Sequence, residues 1–96
     1  MFLEHALLPV IDGRAADFER AFATARPLIE AQPGFVSLRL SRSIESPHLY
    51  LLLVEWETVE AHTEGFRRSE EYGRWKALLH HFYDPFPVVE HFAPVP

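Results

Sequence analysis

The sequence predicts an α+β fold of the split β-α-β-β-α-β kind, a ferredoxin-like antiparallel sheet with both helices on one face. Three observations carry that expectation. Four strand-like apolar runs alternate with two helical stretches in that order, and turn signals close each run. The third run, LYLLLVEW from Leu49 to Trp56, is apolar in both phases of a strand and therefore belongs at the centre of a sheet.

Taken in order, Phe2 to Val10 forms the first strand, ended by Pro9 and the Asp12-Gly13 turn. From Ala15 onward Phe18, Phe22, Ala25 and Ile29 recur at the spacing of one helical face. Pro27 lacks the N–H that would bond to Ala23, so the helix kinks there or a short second helix begins. Gln32-Pro33-Gly34 ends it. Phe35 to Ile44 is a second strand with Ser37, Arg39 and Ser41 on one wetter face, turned by Glu45-Ser46-Pro47 into the third strand. Thr58 caps a helix from about Val59 to Arg67. Ser69 then caps another helix, with Glu70 and Glu71 in its first turn and Tyr72, Trp75, Leu79 and Phe82 on its apolar face, so the second helix is expected to be broken. Asp84-Pro85-Phe86-Pro87 stops it, and Val88 to Val95 is the last strand.

Composition bounds the function. A chain with 48% hydrophobic and 14% aromatic residues is core-forming, and one domain over residues 1–96 is expected. A formal charge of −5 leaves no basic footprint for nucleic acid or anionic lipid, and no run reaches membrane-spanning length. With no cysteine there is no disulfide, thiolate nucleophile or sulfur-ligated metal. No basic, apolar leader opens the chain, so the cytoplasm is the expected compartment.

In the third strand, Tyr50, Leu52, Val54 and Trp56 share one face and Leu49, Leu51 and Leu53 the other. Two helices roof only one side. Leaving the leucines wet would cost roughly 1.5–3 kcal/mol each, against a total stability of about 5–15 kcal/mol. A homodimer through the sheet face is therefore expected. The helix-covered side is left as the place for a pocket.

In this topology the first strand lies between the third and the fourth. The three strands carry Glu4-His5, Glu55-Trp56 and Glu90-His91, so matched registers would set His5, Trp56 and His91 in a row on one face and the three Glu on the other. On that outer face Arg39 and Arg42 would be the counter-charges. His5, His62 and His91 are the candidate bases, because imidazole titrates near neutral pH. His80 and His81 suit a helix C-terminus, and His48 a solvated turn. Trp56, Phe66, Tyr72, Trp75 and Phe82 are the candidate ring-binding residues for a small aromatic or apolar ligand. No metal is expected, since HExxH, EF-hand and Cys-pair signatures are missing and a three-histidine site would need three registers to agree. With four glycines and no GxGxxG, a nucleotide cofactor has no phosphate loop.

From Leu53 to Val95 the segments VEWETVEAH, GFRRSEEYGRW and PFPVVEHFAPV, with PGFVSLRLSRS before them, resemble the antibiotic biosynthesis monooxygenase domain family. The resemblance implies a dimeric α+β barrel, two ferredoxin-like subunits packed sheet to sheet. It also implies, for some members, oxidation of polycyclic phenols by dioxygen without metal, flavin or other cofactor. Many members place a histidine on the second helix three residues before Ser or Thr, where this chain has Phe66 before Ser69. The related haem-degrading enzymes use an Asn, a Trp and a His at positions matching His5, Phe66 and Lys76 here, so the resemblance does not extend to haem. The expected function is a cofactor-independent monooxygenase acting on a small phenolic, polycyclic or quinol-like compound. The alternatives are a non-catalytic dimeric ligand-binding module and an oxygen-independent isomerase or decarboxylase.

Overall fold

The computed structural model describes all 96 residues. Strand β1 (Phe2–Pro9) leads to helix α1 (Ala15–Glu30), then to β2 (Phe35–Arg42) and β3 (Leu49–Trp56). A π-helical turn at Ala61–Gly65 and a 3-10 turn at Phe66–Arg68 precede helix α2 (Glu70–Leu79). A second 3-10 turn at His80–Phe82 and strand β4 (Val89–Phe92) complete the chain. The sheet is antiparallel in the order β2-β3-β1-β4, with the two most apolar strands central, as the split β-α-β-β-α-β order requires.

The helices cover one face. Tyr50, Leu52, Val54 and Trp56 of β3 are buried there with Ala6 and Leu8 of β1, against Phe18, Phe22, Ala25 and Ile29 of α1 and Trp75 and Leu79 of α2. On the opposite face Leu49, Leu51 and Leu53 are half-buried, while Leu7 and Phe92 are 48% and 46% exposed. The third strand's two apolar phases thus go to two different environments.

Helix α1 runs as one element through Pro27, so of the two expected outcomes the fresh helix starting there does not occur. Ala23 and Pro27 are both exposed, so the carbonyl that Pro27 leaves without an amide faces solvent. The break in the second helical stretch is present, with Ala61 N donating to Thr58 Oγ1 at 3.1 Å and Tyr72 N to Ser69 Oγ at 3.2 Å. The last strand is shorter than expected, four residues instead of eight.

Gly34 fixes the π turn against the sheet. Its φ of +84° is left-handed, and a Cβ built on it would lie 2.6 Å from Ala61 Cβ. Its carbonyl also accepts from Glu57 N at 2.8 Å. Gly34→Ala combines backbone strain with a clash against the turn that carries His62. It should lower stability by about 1–3 kcal/mol, read as a drop in urea midpoint at unchanged m-value.

Candidate functional site

The site is built on three strands and the π turn. Glu4 of β1 stands directly opposite His91 of β4 and Val54 of β3, so all three point to the helix-covered face. Trp56, two residues beyond Val54, points the same way and donates its Nε1–H to Glu4 Oε1 at 2.9 Å. Over this cluster the π turn, whose extra residue widens the backbone, lowers His62 and, one turn on, Phe66. The His62 ring stacks on Trp56, with centroids 5.3 Å apart and planes 16° from parallel.

His62 Nε2 lies 3.4 Å from Glu4 Oε1, and His62 Nδ1 lies 2.8 Å from His91 Nε2. Facing a carboxylate, Nε2 carries the proton of the neutral ring. Nδ1 is then the acceptor, and His91 Nε2–H donates to it. The order Glu4, His62, His91 is therefore a directional chain.

Burial governs the charges. Glu4 is 4% exposed, and desolvation pushes its carboxyl up to about 6, against the lowering effects of the Trp56 hydrogen bond and the Arg67 charge. Desolvation, with help from Arg67 and His91, pushes His62 down to about 3. His91 is also lowered, first by desolvation and then by Arg67. At neutral pH the cluster holds one anion, on Glu4, and a neutral His62. Glu4 is the group with proton affinity near neutrality.

Glu4 and His62 form one end of a cavity of about 370 Å³ between sheet and helices. Its floor is Ala6, Leu8, Leu52 and Val89, and the small Ala6 leaves the space open along β1. Phe66, Tyr72, Trp75, Tyr83 and Phe86 supply aromatic walls, with Arg67 and His80 at the margins. Burial raises the Tyr72 and Tyr83 hydroxyls above their ordinary range, so both remain donors. His80 is lowered by burial and by Lys76 and is a neutral imidazole. The arrangement can hold a flat aromatic molecule against Phe66, Tyr72 and Trp75 with an acidic hydrogen toward Glu4.

The expected row of His5, Trp56 and His91 is corrected by the register. His5 pairs with Leu53 and Glu90, not Trp56 and His91, so it sits on the open face beside Phe92, at 5.7 Å between ring centroids. Glu4 takes the inner position in its place. Accordingly His5, His62 and His91 do not converge, and no group of three His, Asp or Glu side chains forms a metal-binding cluster. Of the outer glutamates, Glu55 accepts from Ser37 Oγ at 2.8 Å, not from an arginine. Arg42 lies on the helix side, paired with Glu19 at 3.4 Å.

Among the ring-binding candidates, Phe66, Tyr72 and Trp75 line the cavity. Trp56 lies behind it, fully buried, as the group that holds Glu4. Phe82 does not line it: the 3-10 turn carries that ring into the core against Phe18, with Arg14 over its face at 4.6 Å. Glu4, Arg67, His80, Tyr83 and Phe86 were not singled out from the sequence as cavity residues. For Glu4 one signal was available, since a buried Trp56 indole N–H needs an acceptor.

A model of the family described as antibiotic biosynthesis monooxygenase matches residues 1–78. The Bacillus subtilis protein YczJ is 55% identical over 95 residues, 99% of this chain and all of that protein. A crystal structure of a Bordetella bronchiseptica protein named for the same family superposes with a TM-score of 0.92 at 40% identity, over 99% of this chain and 97% of that one. SnoaB, a cofactor-independent oxygenase from Streptomyces nogalater, shares the fold with a TM-score of 0.76 at 21% identity, over 99% of this chain and 94% of that one.

The Glu4 environment has a signature in stability. A carboxyl raised from 4.5 to about 6 in the fold binds protons more tightly than in the unfolded chain. Its contribution is fully favourable below pH 4.5 and is lost as pH rises through about 6, a swing of about 2 kcal/mol. Gln at this position keeps the acceptor for Trp56 and removes the charge. Glu4→Gln should therefore be more stable than the parent by about 1–2 kcal/mol at pH 8, with the difference vanishing at pH 4 in paired urea titrations.

Proposed function

The chain belongs to the antibiotic biosynthesis monooxygenase family, and from that membership and the cavity we propose a cofactor-independent monooxygenase that oxidises a small phenolic, polycyclic or quinol-like compound with dioxygen. The observation that carries this reading is the buried Glu4 carboxylate, held by Trp56 and pushed up to about 6, at one end of an aromatic-walled cavity. A base poised near neutrality is what removal of a weakly acidic ring hydrogen requires.

Glu4 takes the proton, leaving an anion delocalised over the substrate ring. That anion is the reductant. The substrate gives up two hydrogens, the acidic hydroxyl proton and the one on the ring carbon that is oxidised; one oxygen atom stays on that carbon as a quinone carbonyl and the other departs as water, so the four electrons that reduce dioxygen all come from the substrate. The protein's share is to orient the ring between Phe66, Tyr72 and Trp75, to exclude water, and to keep Glu4 basic by desolvation. His62, held neutral by burial, is the positioning group behind Glu4, and His91 fixes its tautomer.

The proposal includes a homodimer through the open sheet face. It is supported by the half-buried Leu49, Leu51 and Leu53 and by the exposed Leu7 and Phe92 on that face, an apolar area that a second copy would cover. Leu51→Arg, whose head would meet the same face of its partner, is expected to sediment as a monomer where the parent sediments as a dimer.

Oxygen-electrode assays with a panel of polycyclic phenols and hydroquinones test the activity. Uptake should occur without added metal or flavin, with kcat/KM rising through about pH 6 to a plateau as Glu4 ionises. Glu4→Gln should lose about 10²–10⁴-fold in kcat. Turnover that persists without oxygen would instead favour an isomerase or decarboxylase, and tight binding with no turnover a ligand-binding module.

A further inference from the structure

Arg67 stands at the mouth of the cavity, exposed to solvent, on the 3-10 turn that follows the π turn. The nearest acids along the chain are Glu64, three residues before, and Glu70 and Glu71, three and four residues after and beyond the extended Ser69 that breaks the helix. None of them pairs with it. Glu64 is held by Arg68 at 3.1 Å, and Glu71 by Arg74 at 3.8 Å and by Gln32 Nε2 at 3.1 Å. The neighbouring arginines hold Glu64 and Glu71, Glu70 lies beyond the extended Ser69 and does not pair with Arg67, and the guanidinium at the cavity mouth keeps its forked donors open.

We propose that Arg67 is a specificity-determining residue that reads a carboxylate fixed on the substrate's ring, and that the substrate class is aromatic carboxylic acids. A guanidinium matches a carboxylate through two parallel N–H···O bonds, a geometry an uncharged ester or an isolated hydroxyl does not reproduce. At the exposed rim the substrate's carboxylate keeps part of its hydration, so pairing costs little desolvation, while the ring enters between Phe66, Tyr72 and Trp75. The anionic Glu4 at the buried end repels a second anion. The carboxylate is thereby directed to the mouth and the reacting edge toward Glu4. The chain's net charge of −5 gives anions no general attraction, so selectivity rests on Arg67, the one Lys or Arg among the cavity's lining residues.

This inference rests on the cavity being the substrate site proposed above, and binding tests it independently of turnover. The probes are 2-naphthoate and methyl 2-naphthoate, titrated by calorimetry at low and high salt. The acid should bind at least about tenfold more tightly than the ester at low salt, with the preference shrinking as salt rises. Arg67→Gln should abolish the preference by weakening the acid alone, Arg67→Lys should restore part of it, and Arg20→Gln, on the exposed side of α1 and away from the cavity, should leave both affinities unchanged. Equal affinities in the parent, or an unchanged preference in Arg67→Gln, would overturn the proposal. Selective binding of the acid with no oxygen uptake by hydroxylated naphthoates overturns the oxygenase reading and leaves this one standing. Oxygen uptake with neutral phenols and no acid preference does the reverse.

Discussion

The hydrogen bond from Trp56 Nε1 to Glu4 Oε1 is the contact on which the rest of the site depends. Each partner answers a need of the other. A fully buried indole N–H costs free energy unless it finds an acceptor, and a buried carboxylate costs more unless donors surround it. The bond also ties the two central strands together across the sheet, and it supplies the platform on which the His62 ring stacks. His91 then completes the cluster from the far side of β1, because β4 places it directly opposite Glu4. Four residues from three strands and a turn are thus assembled by two pairing registers and the π turn.

Only one donor lies within ordinary hydrogen-bond distance of Glu4, and that is too few to offset its burial fully. A carboxylate with two or three strong donors sits well below its ordinary value. Here desolvation outweighs the indole and the Arg67 charge together, and the group ends near 6. The fold therefore keeps a proton acceptor in a state that is unfavourable for folding and suited to proton removal. His62 is held in the complementary state: the same burial strips it of basicity, so it stays neutral beside the Glu4 carboxyl. Two titratable groups in contact are pushed in opposite directions by one cause, desolvation acting on groups of opposite charge type.

The order of elements was legible in the sequence because each depends on local chemistry. Phe18, Phe22, Ala25 and Ile29 announce α1, Thr58 and Ser69 mark two starts in the second helical stretch, and LYLLLVEW can only be central. The phase of β1 was not legible. Phe2 to Val10 is apolar in both alternations, so nothing local distinguishes Glu4-in from His5-in, and the repeated Glu-ring dipeptides suggested a register one residue off. That single step moved His5 to the open face and brought Glu4 into the cavity. Phe82 was misplaced for another reason: the 3-10 turn keeps it on the buried face of Leu79, and that end of the face packs into the core against Phe18 instead of lining the cavity.

The same two-phased strands divide the molecule's tasks. On the helix side, the inward residues of β1 shrink from Leu8 to Ala6 and then become the charged Glu4, so the core opens into a cavity and ends in a buried carboxyl group. On the other side β1 presents Leu3, His5 and Leu7 next to the leucines of β3, a surface with apolar area but few fixed charges of its own. A one-residue slip of β1 would exchange these sets, burying His5 and Leu7 in the cavity and setting Glu4 among the open-face leucines. Both faces would fail together. A buried Trp56 indole N–H needs an acceptor, and its bond to Glu4 Oε1 favours the observed register. In this chain the polar contact that holds a buried carboxyl at the cavity also marks which face of the sheet is which.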